Sequence, residues 1–202
     1  MAPAWLFVLA AALAPAAGAL APPVQEGDIV FQTSRSQQSL AIQRSTGSRY
    51  SHMGVVLKRG RRPFVFEAIA TVRYTPLDAW IARGKDGHAV VKRLKNARET
   101  LTADALARLR RSAGRFEGRP YDLTFEWSDH RIYCSELVWK MFHEALGIEI
   151  GVRQKLGEFK LDDPLVKAKM QERYRGHPPL DETVIAPGAM FESPLLSTVA
   201  EK

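Results

Sequence analysis

One cysteine occurs in the chain, Cys134, within the segment RIYCSELVW (residues 131–139). The residues that follow, Val138, Met141, Phe142 and Ala145, repeat at the i, i+3, i+4, i+7 spacing of a helix, and Gly147 supplies a stop. Cys134 therefore falls at a helix start. Unpaired backbone N–H groups and the positive end of the helix dipole favour a thiolate there, and the same N–H groups can hold the oxyanion formed when a carbonyl is attacked. Position 134 also lies on the apolar face, one turn before the core stripe, so position alone equally allows a small buried hydrophobe.

A thiol nucleophile needs a base, and the base needs fixed geometry. Of five histidines, His52 opens an otherwise apolar strand, SHMGVVL. His130, four residues before Cys134, is the rival. His88, His143 and His177 sit in a turn, on a charged helix face and in a Gly/Pro loop, where solvation is expected. Glu67 is the odd residue in PFVFEAIA, since a carboxylate in an apolar strand is costly unless paired. Either it faces water from an edge strand, or it accepts a hydrogen bond from His52 and fixes the tautomer of the base. Cys134, His52 and Glu67 then form a nucleophile, a base and an orienter. No CxxC or HxxxH spacing suggests a metal, no glycine-rich phosphate loop is present, and no cofactor is expected.

The elements that must position these groups read as follows. Short strands are predicted at GDIVFQ, at residues 51–57, at 64–70, at VRYTPL and at 88–94, with KRGRRP as a hairpin turn. A helix capped by Ser34 or Ser36 runs through Arg44 and ends at Thr46-Gly47, and another covers residues 77–84. Thr102 caps a third, with Ala105, Leu106, Leu109 and Ala113 on one face, broken by Gly114 and Gly118. Beyond Gly151 the chain is rich in Pro, Gly and charge, with a short helix over 164–174 and an edge strand near Val184. Hairpin-like strands flanked by helices point to an α+β fold with an antiparallel sheet packed against helices.

At 202 residues, with 46% hydrophobic and 25% charged side chains, the chain has the length and balance of one globular domain. Residues 1–21 read as a signal peptide: an apolar run, small residues around Ala17 to Ala21, and no charged side chain before Glu26. The domain is expected over 22–202, exported and periplasmic. In such an oxidising compartment structural cysteines come in pairs, so a lone one calls for a reason. The net charge of +7 favours anionic partners, such as envelope polymers or lipid headgroups in peripheral contact. Basic residues are interleaved with acids and form no block, so nucleic acid is not expected as a partner.

Taken in order, GDIVFQTSRSQQSLAIQRSTGSRYSHMGVV, VFEAI with VRYTPL, and YCSELVW resemble the permuted papain-fold NlpC/P60 hydrolases of the YiiX/YebB-like type. The resemblance spans about residues 27–146, and the late ESPLLSTV is similar to the family's C-terminal end. It implies a circularly permuted papain-like fold, with Cys134 as nucleophile, His52 as base and Glu67 as the polar third residue. It further implies that Tyr133, Ser36, Gln37 and Gln38 lie near the cleft as substrate contacts. Relatives cleave amide bonds of cell-wall peptides, and more distant ones move acyl groups between lipids. The leading expectation is an exported cysteine amidase or peptidase acting on peptidoglycan peptides. A lipid acyl-hydrolase or acyltransferase with the same site, and a non-catalytic envelope binding module, are the alternatives.

Overall fold

The computed structural model describes residues 24–202, and the leader expected over 1–21 lies outside them. In chain order the elements are β1 (Ile29–Gln32), α1 (Gln37–Thr46), β2 (His52–Arg59), β3 (Arg62–Ala68), β4 (Val72–Pro76), α2 (Leu77–Arg83), β5 (Val90–Leu94), α3 (Ala97–Thr100), α4 (Ala103–Phe116), α5 (Cys134–Leu146), β6 (Gln154–Lys155), α6 (Pro164–Tyr174), β7 (Thr183–Val184), α7 (Pro187–Phe191) and β8 (Leu196–Glu201).

Successive side chains of a strand point to opposite faces, and in β1 both faces are apolar. Ile29 and Phe31 join one buried cluster and Val30 the other. A strand apolar on both sides belongs inside a sheet covered on both faces. Accordingly β1 lies within a six-stranded antiparallel sheet of order β4-β3-β2-β1-β5-β8. One face packs on α4 and α5, where Leu109, Phe116, Leu137, Met141 and Phe142 meet Phe31, Met53, Val55 and Phe66. The other carries Trp80 and Ile81 of α2 against Val30, Val56, Val65 and Val91. Gly47 and Gly147 end α1 and α5 in the left-handed conformation, the geometry expected of those positions. Among the described residues no helix is long and apolar enough to cross a membrane.

Several expectations are corrected. Gly114 does not break α4, which continues to Phe116; a side chain there would meet only open space, and the buried stripe of Leu109, Ala113 and Phe116 carries the helix past it. Val184 is not at the edge of the main sheet, because β7 pairs with β6 in a separate two-stranded ladder. The edges of the main sheet are β4 and β8, and β8 is hidden in the sequence by a register shift between Val91 and Lys92 of β5. That shift sends Leu196 and Ala200, of equal parity, into opposite clusters, which erases the alternation. For the same reason His88 is not simply solvated: half-buried, it stacks on Tyr50 and bonds Glu201 of β8 at 2.9 Å.

Candidate active site

β2 and β3 pair with Val55 opposite Phe66, which brings Gly54 beside Glu67. A Cβ at Gly54 would press on the Val65 side chain, lie 2.7 Å from the Phe66 carbonyl oxygen and 3.3 Å from Glu67 Cβ. Glycine thus allows close approach of the strands and leaves the diagonal between His52 and Glu67 open. Across it His52 Nε2 meets Glu67 Oε2 at 2.6 Å.

Glu67 is 0% exposed and takes three further donors. Thr75 of β4 donates to Oε1 at 2.6 Å. Trp80 Nε1 and the Arg83 guanidinium, both from α2, donate to Oε2 at 2.8 and 2.5 Å. Burial alone would raise the carboxyl's pKa; His52, Arg83 and Thr75 overcome it and hold Glu67 at about 2. His52, 7% exposed, follows the same logic with opposite sign. Burial pulls the imidazole down, but its interactions with Cys134 and Glu67 outweigh that and hold it at about 9. The ring therefore favours the imidazolium, the form it takes on receiving the thiol proton, and Glu67 stabilises that form.

Cys134 is the first residue of α5 and is 3% exposed. Tyr133 precedes it in extended conformation, and its N–H donates to Glu136 Oε2 at 3.3 Å. Burial raises Glu136 to about 8 against the pull of Lys140 and of that N–H. Tyr121 approaches from the loop before α5. Burial first, and the Cys134 sulfur among the further causes, push its phenol above the ordinary tyrosine range, so it remains a donor. Gln38 Nε2 donates to the Tyr121 oxygen at 3.3 Å, which leaves the phenolic proton free to point at an oxyanion on the cysteine. Asp122, fully buried, organises this loop by accepting from the Thr124 and Glu126 N–H groups.

Two clefts meet at this centre and share Ile42 and Tyr121. One contains Cys134 and is lined mainly by apolar groups of α1, α6 and residues 156–161 and 184–187. The other contains His52 and is polar, with Arg35, Ser36, Gln38 and Arg83 in its wall. Of the expected substrate contacts, Ser36 and Gln38 line the polar cleft and Tyr133 the apolar one, whereas exposed Gln37 lines neither. The Tyr133 hydroxyl is already engaged as acceptor for the Ile185 N–H at 3.0 Å. The rival base, His130, is exposed.

Residues 23–200 match a family model described as permuted papain-like amidase enzyme, YaeF/YiiX, C92 family. The chain belongs to this family. The C92 fold is the circularly permuted papain-like α+β arrangement read from the motifs. A curated relative, "Uncharacterized protein YiiX" of Escherichia coli (strain K12), is 49% identical over 178 residues, covering 88% of this chain and 87% of its own. A solved structure titled "Crystal structure of metalloprotein yiiX from Escherichia coli O157:H7" superposes with a TM-score of 0.84 at 50% identity, over 88% of this chain and 97% of that one.

Within this C92 chain, Thr75, Trp80, Arg83, Tyr121 and Asp122 escaped the reading of the sequence. For Thr75 a signal existed. Pairing Val65 with Thr75 in the β3–β4 hairpin places that hydroxyl diagonally from Glu67, once the VRYTP strand is set in register. No local signal marked Tyr121, whose partner Gln38 lies 83 residues away.

Proposed function

We propose that this chain is an exported cysteine amidase that hydrolyses an amide through a thioacyl enzyme. The observation that carries the proposal is the 2.6 Å pairing of His52 with a buried Glu67 held by Thr75, Trp80 and Arg83, in a centre whose one thiol, Cys134, opens α5. His52 takes the thiol proton, and the Cys134 sulfur attacks the amide carbon. The oxyanion is held by N–H groups at the start of α5 and by the Tyr121 hydroxyl. As the C–N bond breaks, the imidazolium gives its proton to the leaving amine. Water then attacks the thioester, its proton passes to His52, and the C–S bond breaks to release a carboxylic acid and restore the thiol. Glu67 stays ionised throughout, with Thr75, Trp80 and Arg83 supplying its other hydrogen bonds.

The amine portion of the substrate is peptide-like. Arg35 and Arg83 in the polar cleft suit a carboxylate on the leaving group, as cell-wall peptides carry. Export to the periplasm is favoured by the leader-like sequence and the single thiol. The solved relative is titled a metalloprotein; in this chain the donors do not fit a metal. Among the described residues no group of three or more His, Cys, Asp or Glu side chains is arranged to hold a metal ion, and the Glu67 oxygens are committed to four donors, one a guanidinium.

The test is incubation with muropeptides and N-acyl amino acids, read by mass spectrometry for new amine and acid products. Wild type should cleave at least one class and Cys134→Ala none. Equal cleavage by both proteins, or none by either, would overturn the amidase reading.

A further inference from the structure

We infer that the end of the sheet opposite the active site is a docking surface for an anionic phospholipid membrane. The inference concerns how the molecule is oriented and does not depend on which bond Cys134 attacks.

Strand direction decides where the charge collects. β2 starts at His52 and ends at Arg59, so at about 3.4 Å per residue its far end lies about 24 Å from the start. β1 is antiparallel to both β2 and β5, so the ends of these two strands lie beside the start of β1. That far end gathers Lys58 and Arg59 from β2, Arg61 and Arg62 from the turn into β3, Arg93 and Lys95 at the end of β5, and Arg98 from α3. Residues scattered along the sequence thus meet at one pole.

Ion pairs divide these cations into two sets. Arg93 is spent on buried Asp28 at 2.6 and 2.8 Å, and Arg59 on Glu117 at 2.8 Å. Glu26, another acid of this pole, is held by Arg110 of α4 at 2.7 Å. Lys58, Arg61, Arg62, Lys95 and Arg98 are exposed and have no ion pair among the described residues. The acids left over, Asp78, Glu99 and Asp104, each stand in the first turn of a helix, where the dipole and free N–H groups offset part of their charge. The pole is therefore positive in field as well as in count.

Two observations select a membrane over a soluble polyanion. Leu195 is 42% exposed, and its carbonyl accepts from the Lys95 N–H at 2.9 Å, so a large apolar side chain belongs to the same surface as the cations. Cations beside an exposed apolar group suit the boundary between headgroups and acyl chains. Gln25 and Glu26 line the basic cleft, and the leader-like run of residues 5–14 precedes them in the chain. The segment whose composition suits a membrane is thus joined to the domain at the face whose charge suits one. The polar cleft, with Ser34, Ser36, Ser51 and His52, opens at the other end of the sheet, so docking directs it away from the lipid.

The test is sedimentation of the full chain with neutral phosphatidylcholine vesicles and with vesicles of three parts phosphatidylcholine to one part phosphatidylglycerol. Wild type is compared with a variant carrying Lys58→Gln, Arg61→Gln, Arg62→Gln and Lys95→Gln together. Each cation near an anionic surface strengthens binding about five-fold, so wild type should prefer the anionic vesicles by at least about 100-fold and the variant should lose most of that preference. The preference should vanish in 1 M salt, where the screening length falls to about 3 Å. Anionic vesicles should slow hydrogen exchange at residues 58–62 and 95–98 and leave residues 34–38 unchanged. Alkylation of Cys134 at the wild-type rate shows that the variant is folded; in an unfolded variant, the salt series and exchange pattern of wild type decide alone. Equal binding of wild type to both vesicle types, a preference that the folded variant retains, or protection at residues 34–38 in place of 58–62 would overturn the docking surface. Dextran sulfate bound as tightly as anionic vesicles, with no loss of vesicle binding in Leu195→Ser, would overturn it in favour of a soluble polyanion.

Discussion

Glu67→Gln isolates the charge at the centre of the site. The variant keeps the shape of the side chain, its carbonyl can still accept from His52, Trp80 and Arg83, and its amide can donate to the Thr75 hydroxyl. What it loses is the negative charge. Glu67 is held at about 2 against an ordinary 4.5. At about 1.4 kcal/mol per pH unit, that displacement is worth about 3 kcal/mol in favour of the ionised, folded state. The sign follows from the depressed pKa: the contribution is complete above pH 4.5 and fades as the pH falls through about 2. Wild type should therefore exceed Glu67→Gln in stability by about 3 kcal/mol at pH 7, a Tm difference of roughly 6–12 °C for a domain of this size. By pH 3 only about 1 kcal/mol of the gap should remain. Urea titrations followed by tryptophan fluorescence, with Trp80 as a reporter at the site, measure the gap directly. A gap that stays constant from pH 7 to pH 3 would mean that shape, not charge, is what the substitution disturbs. Equal stability at pH 7 would show that the negative charge of Glu67 contributes no net stabilisation.

Three further outcomes are expected. His52 is held at about 9 against 6.5, so its contribution is complete below pH 6.5 and lost as the pH rises through 9; wild-type urea midpoints should fall across that window, and less steeply in Cys134→Ala, which lacks one of the two groups that raise the imidazole. Gly54→Ala should cost about 2 kcal/mol, read as a Tm lower by roughly 4–8 °C, because its Cβ would lie 2.7 Å from the Phe66 carbonyl oxygen on backbone that cannot step aside. Tyr121→Phe should lower kcat about 100-fold with KM nearly unchanged, and Gln38→Ala less; a raised KM with unchanged kcat would instead assign the phenol to substrate binding.

The two halves of the site were not equally legible in the sequence. Cys134 could be placed because α5 is built on an uninterrupted helical stripe with a glycine stop. His52 and Glu67 stood out because each is polar in an apolar strand, a conflict that needs a partner. The residues that resolve the conflict did not stand out. Trp80 reads as one more apolar residue of α2, and only the docking of that helix on the sheet brings its indole N–H to Glu67. The apolar cleft was invisible for a similar reason. Leu156, Phe159 and Val166 share no period, since they come from different short elements in a stretch that reads as charged and rich in Pro and Gly. Their common wall exists only after α6 has packed on α1, a contact tied in part by Arg44 to Asp163 at 3.1 Å.

The placement of Arg83 explains how a buried carboxylate and a nucleophilic sulfur can share one imidazole. Glu67 alone behind His52 would make the ring more basic, but transfer of the thiol proton would then leave two anions around one buried cation. Arg83, partly exposed and bonded to the same Glu67 oxygen as His52, adds a second cation, so that sulfur, imidazolium, carboxylate and guanidinium carry balanced charges. After proton transfer the four sum to zero, so the ion pair forms without an unbalanced buried charge. All the groups that set this balance, apart from the sulfur, lie between His52 and Arg83, on two hairpins and the helix that follows. The base is thereby oriented by its own neighbourhood in the chain. The nucleophile arrives from α5, whose apolar face of Leu137, Met141 and Phe142 packs on the sheet. Orientation of the base and delivery of the thiol are thus separate physical problems in this fold, which is why Glu67→Gln is expected to alter charge at His52 while leaving α5 in place.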